Sequence, residues 1–73
     1  MSRREEAILI TGIGKRLGQL LTRRLHRHER VIGIDSRPVD NMPKDVKVYT
    51  VDIRRRQAED IFRRYRFKAV VHL

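Results

Sequence analysis

The sequence predicts an α/β fold: a parallel sheet of about four strands in the order 3-2-1-4, with one helix on each face. Three observations lead there. Two short apolar runs, Ala7-Ile8-Leu9-Ile10 and Val31-Ile32-Gly33-Ile34, have the continuous, branched pattern of strands buried on both faces. Between them Leu17, Leu20, Leu21 and Leu25 recur at three- and four-residue steps, the spacing of a helix that packs on a sheet. The alternation then repeats, and right-handed crossovers between parallel strands set the order.

Thr11 and Gly12 end the first strand. The first helix is expected from Arg16 to about Arg27, with Arg16, Arg23, Arg24 and Arg27 largely off its apolar stripe. His26-Arg27-His28-Glu29 links it to the second strand, which stops at Asp35. Ser36 to Lys44 contains Pro38, Asn41 and Pro43 and reads as loop, because proline fixes φ and removes a donor while asparagine favours turns. Val46, Val48, Tyr49 and Val51 suggest a third strand ending near Asp52. Arg55 to about Arg66 places Ala58, Ile61, Phe62 and Tyr65 on one stripe of a second helix, and Ala69 to Leu73 reads as the fourth strand. Strands of a parallel sheet normally lead into the loops that carry a site. Residues 1–73 are therefore expected to be the N-terminal part of a single domain, cut after the fourth strand. The open edge of that strand invites pairing, with the missing C-terminal part or with a second copy.

A chain of 73 residues makes at most one domain and buries only about 60% of the surface its unfolded form exposes. It has no cysteine, which excludes a disulfide framework, a thiolate nucleophile and a Cys-type zinc site, and suggests an intracellular protein. The start, Met1-Ser2-Arg3-Arg4-Glu5-Glu6, is charged and precedes too few apolar residues for a signal peptide or a membrane span, so a cytoplasmic location is expected. The 18 Lys and Arg against 9 Asp and Glu give a net charge of +9, which by composition points to a polyanionic partner. Against that, the aromatics are only Tyr49, Phe62, Tyr65 and Phe67, and the arginines are spread over most segments, which fits solvated helix faces. A basic nucleic-acid-binding module, or a structural or assembly fragment with no ligand, stays open as the alternative.

The chemistry sits in the turn after the first strand, Thr11-Gly12-Ile13-Gly14-Lys15-Arg16-Leu17-Gly18. Gly12 lets the chain turn tightly, Gly14 is placed to let backbone approach a pyrophosphate, and Gly18 permits close helix-to-strand packing. The phosphates would rest at the helix start, where unpaired N–H groups and the macrodipole favour negative charge. Asp35, seventeen residues beyond Gly18, stands where a dinucleotide site needs an acceptor for ribose hydroxyls. Together these features define a partial Rossmann-type three-layer sandwich. A P-loop is excluded, because position 9 is Leu where the first glycine belongs and position 16 is Arg where Ser or Thr would hold magnesium.

With these residues in place, the chain resembles the extended short-chain dehydrogenase/reductase family, the NAD-dependent epimerase/dehydratases. The similar stretches are Ile8 to Gly12 with Leu17-Gly18, Val31 to Asp35, Val51-Asp52-Ile53 and Val70-Val71-His72-Leu73, which run through essentially the whole chain. The resemblance implies that Asp52 and Ile53 meet the adenine and that Leu73 runs on into a small-residue loop beside the cofactor. It also implies, for the parent, hydride exchange between a nicotinamide and a substrate carbon, often in a nucleotide sugar. The family's Tyr-x-x-x-Lys pair is absent here, so no catalytic residue is expected and the chain alone should be inactive. The family pattern Gly-x-x-Gly-x-x-Gly would put glycine at 15, where this chain has Lys15 and offers Gly14 instead. Either the turn is shifted or phosphate contact is impaired, and Lys15 is either a point charge for a phosphate or an exposed lysine at a helix start. Asp35 favours NAD, since a carboxylate accepts from a free 2′-hydroxyl and repels a 2′-phosphate; Arg37 and Lys15 favour NADP if they reach the ribose. His26 and His28 read as surface or capping residues, with no metal site expected, His72 as a packing or hydrogen-bonding strand residue, and Tyr65 as core.

Overall fold

The computed structural model describes residues 6–73, so the charged start, Met1 to Glu5, lies outside the described residues. The elements run β1 (Glu6–Thr11), α1 (Arg16–Leu25), β2 (Arg30–Asp35), β3 (Lys47–Thr50), α2 (Arg56–Arg64) and β4 (Arg66–His72). The strands form one parallel sheet in the order β3-β2-β1-β4. Ile8 lies opposite Val31 and Ala69, and Ile34 opposite Tyr49, so side chains in register share a face.

Alternation along β1 and β2 divides the core. Ala7, Leu9, Ile32 and Ile34 point to the face covered by α2, where Ile61, Tyr65 and Phe67 close over them. Ile8, Ile10 and Val31 point to the α1 face and pack with Ile13, Leu21 and Leu25. The three-layer arrangement follows directly: each central strand is apolar on both sides and must be covered twice.

Several boundaries differ from the periodicity. Helix α1 stops at Leu25, and its buried line is Gly18 and Thr22, flanked by half-buried Leu21 and Leu25. Leu17 and Leu20 are each 55% exposed. The cause is Gly18: a Cβ there would lie 2.6 Å from the Ile13 carbonyl oxygen and 2.8 Å from that of Gly12, so the helix settles on its glycine and turns those leucines outward. Thr22, fully buried, is satisfied within the helix because its hydroxyl donates to the Gly18 carbonyl at 2.7 Å. Val46 is buried just ahead of β3 rather than within it. Helix α2 ends at Arg64, and Tyr65 is already extended at φ −118°, ψ 163°, so β4 begins at Arg66 rather than Ala69. Phe62 stays 40% exposed and meets Phe67 edge-on at 6.1 Å.

The β1–β4 ladder carries a register shift between Ala7 and Ile8, which pair with Phe67 and Ala69 and leave Lys68 as the extra residue. The Lys68 ammonium reaches Glu29 at 2.5 Å. No described helix is long and apolar enough to cross a membrane.

Candidate dinucleotide site

The C-terminal ends of the parallel strands converge on the turn between β1 and α1, and its sequence explains its shape. Gly12 sits at φ +72°, in the left-handed region that side chains rarely adopt, which lets the chain reverse out of β1. Ile13 then drops back onto the sheet and is fully buried above Gly33, where a Cβ would lie 2.3 Å from its Cδ1. Burying an isoleucine contributes roughly 1.5–3 kcal/mol, so this plug pins the turn to β2.

The N–H groups of the turn divide into two sets. Those of Gly12 and Ile13 donate to the Ile34 carbonyl at 2.7 and 3.3 Å, and that of Lys15 donates to Gly12 at 3.0 Å. The Gly14 N–H donates to Asp35 Oδ2 at 2.9 Å, while the Arg37 N–H donates to Oδ1 at 3.0 Å. Arg16, Leu17 and Gly18, the first residues of α1, find no acceptor for their N–H groups among the described residues, and Lys15 makes no side-chain cap. Three donors and the positive end of the helix are thereby left for an anion.

The missing side chain of Gly14 makes room for protein, since a Cβ there would stand 2.8 Å from Val39 Cγ2 and 2.9 Å from Asp35 Oδ2. Gly14 is therefore the residue that lets the carboxylate of Asp35 dock against the turn. The spare donors lie two to four residues further on.

A cleft of about 220 Å³ opens beside this turn, lined by Thr11, Gly12, Lys15, Asp35, Asp52, Ile53, Arg54, His72 and Leu73 among others. An adjoining recess of about 400 Å³ is lined by Gly14, Lys15, Asp35, Ser36, Arg37, Pro38 and Val39. The expected residues from the ends of all four strands thus share one mouth, with Asp35 between its two parts. Arg16 and Leu17 are exposed and line neither hollow, and Gly18 is buried where α1 touches the backbone of Gly12 and Ile13.

The two acids of the mouth differ. Asp35 is held by main-chain N–H groups alone. Asp52 is gripped by Arg54, whose Nε and Nη2 donate at 3.1 and 2.9 Å while its backbone N–H donates at 2.9 Å. That grip, side-chain first, lowers the Asp52 carboxyl to about 2 and raises Arg54 in return. The sequence reading missed this arginine, although its position two residues after the acid was a signal. His72, expected to pack or hydrogen-bond, does the latter: Thr11 Oγ1 and His72 Nδ1 lie 2.6 Å apart and tie the ends of β1 and β4 across the floor. His26 pairs with Asp45 at 3.1 Å, away from the mouth. Among the described residues no cluster of His, Cys, Asp or Glu suits a metal ion.

A glycine turn feeding a helix, a carboxylate at the end of the neighbouring strand and a crevice at the C-terminal edge of a 3-2-1-4 sheet define a Rossmann-type α/β protein. Residues 8–73 match the model of the NAD dependent epimerase/dehydratase family, and the chain belongs to that family. A similar solved structure is the L-threonine dehydrogenase of Clostridium difficile, 25% identical with a TM-score of 0.77; the match covers 97% of this chain and 24% of that one. The chain thus spans about a quarter of the length of that dehydrogenase. None of the curated proteins matches it. By its name, the family's cofactor class is a nicotinamide dinucleotide.

Proposed function

We propose that the chain binds NAD by its ADP half and forms the cofactor-binding portion of an oxidoreductase of the nucleotide-sugar epimerase/dehydratase kind. The observation that carries this reading is the Asp35 carboxylate, held by the Gly14 N–H at the edge of a cleft that Gly12 and Lys15 also line, directly ahead of the uncapped start of α1.

The residues fit the group in three ways. The helix start receives the pyrophosphate on main-chain donors, with Lys15 and Arg16 adding positive charge. Asp35 keeps lone pairs beyond those used by Gly14 and Arg37 and accepts from the ribose hydroxyls; a 2′-phosphate at the same place would meet a like charge, which favours NAD over NADP. Ile53, 37% exposed, offers an apolar surface to the adenine beside Asp52. When bound, the nicotinamide supplies a hydride donor or acceptor. The 73 residues hold no Tyr-x-x-x-Lys pair to move the accompanying proton, so the chain alone should bind without turnover.

Titration with NAD, NADP and AMP, followed residue by residue by NMR, tests the reading. NAD and AMP should shift the amides of residues 16–18 and the residues around Asp35, with NADP weaker than NAD. Asp35→Ala should weaken NAD by about tenfold, the ~1.4 kcal/mol of one charge-assisted hydrogen bond. Unchanged NAD affinity in a folded Asp35→Ala chain would overturn the assignment.

A further inference from the structure

The C-terminal edge of the sheet sets the order in which the parts of a nucleotide can lie. The glycine turn leaves β1, Asp35 ends β2 and Asp52 follows β3, with β2 between the other two strands. Neighbouring strands stand about 4.8 Å apart, so with phosphates at the turn and the ribose at Asp35 the base falls at the end of β3. Of the described residues that line the cleft, only His72 carries a ring, and it ends β4, on the opposite side of β1.

What the β3 end offers a base is therefore Ile53 and Arg54. The Nε and Nη2 groups of Arg54 donate to the two oxygens of Asp52 at 3.1 and 2.9 Å, so the guanidinium lies edge to edge with the carboxylate and two parallel bonds set its plane. Both bonds leave from the rim of the group. The side chain is 86% exposed, so the flat faces stay open, and it lines the cleft beside Ile53. The Asp52 carboxyl is lowered to about 2, first of all by that fork, and both partners keep their charges at neutral pH. The charges cancel. A flat surface with no net charge suits an uncharged heterocycle, and it leaves the phosphates to the helix start.

We infer that Arg54 is the base-binding residue of the cleft, its guanidinium face stacking on the adenine of the bound nucleotide. The inference rests on the dinucleotide reading and adds to it the group that holds the base. Guanidinium planes stack on nucleobases as aromatic rings do, and no Phe, Tyr or Trp lines this cleft to do so instead. Asp52 then acts as the anchor that keeps the plane in place, and Ile53 borders the same wall.

Calorimetric titration of the full chain with AMP and with ribose 5-phosphate isolates the base, because the two ligands share the phosphate and the sugar. In the wild type AMP should bind about tenfold or more tightly than ribose 5-phosphate, the range of one stacked base. Arg54→Ala should cut that advantage at least about threefold and leave ribose 5-phosphate within about twofold of its wild-type affinity. Arg54→Lys, which keeps the charge but loses the plane and the fork, should behave like Arg54→Ala. In NMR spectra the Arg54 Hε resonance should move upfield with AMP, through the ring current of the stacked base, and stay in place with ribose 5-phosphate. An unchanged AMP advantage in Arg54→Ala, full rescue by Arg54→Lys, or an Hε resonance that ignores AMP would refute the inference. The dinucleotide reading survives any of these so long as AMP binds and Asp35→Ala weakens it, whereas a wild-type chain that binds no AMP refutes both.

Discussion

Two turns lead from a strand into a helix at the same end of the sheet, and they are built by opposite means. The β1–α1 turn is shaped by missing atoms: Gly12 supplies a left-handed φ, Gly14 admits the Asp35 carboxylate and Gly18 lets the helix touch its own turn. The β3–α2 turn contains no glycine and is shaped by charge, with Arg54 folded back on Asp52. Both helices begin without a side-chain cap, at Lys15 and Arg55. The first turn therefore presents main-chain donors and the second presents side-chain cations, a contrast between a fixed surface and an adjustable one.

Substitutions sharpen that contrast. The largest effect is expected at Gly18→Val, because its Cβ would meet two carbonyl oxygens of the backbone, which cannot swing aside as a flexible side chain can. A loss of about 3 kcal/mol or more is expected, read from the denaturant midpoint, and a shift below 1 kcal/mol would break the picture of a turn set by close approach. Gly12→Ala comes next. It forces a side chain into φ +72°, at a cost of roughly 1–2 kcal/mol, and brings its Cβ within 3.2 Å of the Leu73 carbonyl. Arg54→Ala is expected to change stability least, since the pair is exposed. Its reporter is the Asp52 carboxyl, which should return from about 2 toward its ordinary 3.8 in an NMR titration. The sign follows: with the folded value depressed, the stabilisation by this pair is present above about pH 4 and is lost as pH falls through 2, so the variant should lose that part of the acid dependence.

Where the sequence was legible, local chemistry decided the outcome. Ala7 to Ile10 and Val31 to Ile34 are apolar at every position because both faces are covered, and Gly12, Gly18 and Asp35 announced the turn they build. What escaped depended on contacts distant in the chain. Three- and four-residue spacing in α1 fits either of two adjacent stripes, and only the approach at Gly18 decides that Leu17 and Leu20 face out. The partner of Gly14 lies twenty-one residues away, and the plug of Ile13 over Gly33 twenty. Tyr65 suited the helical stripe, yet packing against Tyr49 and Phe67 draws it into extended backbone.

The spare residue in β4 has a bearing on how that margin tolerates change. Lys68 stands outside the ladder, so Phe67 and Ala69 keep their partners in β1 whether or not it is there. Shortening the strand by this one position should leave every other side chain on its present face, whereas lengthening it anywhere from Ala69 to His72 would turn the rest inside out. The bulge acts as a slack link, able to absorb a deletion that the neighbouring strands could not.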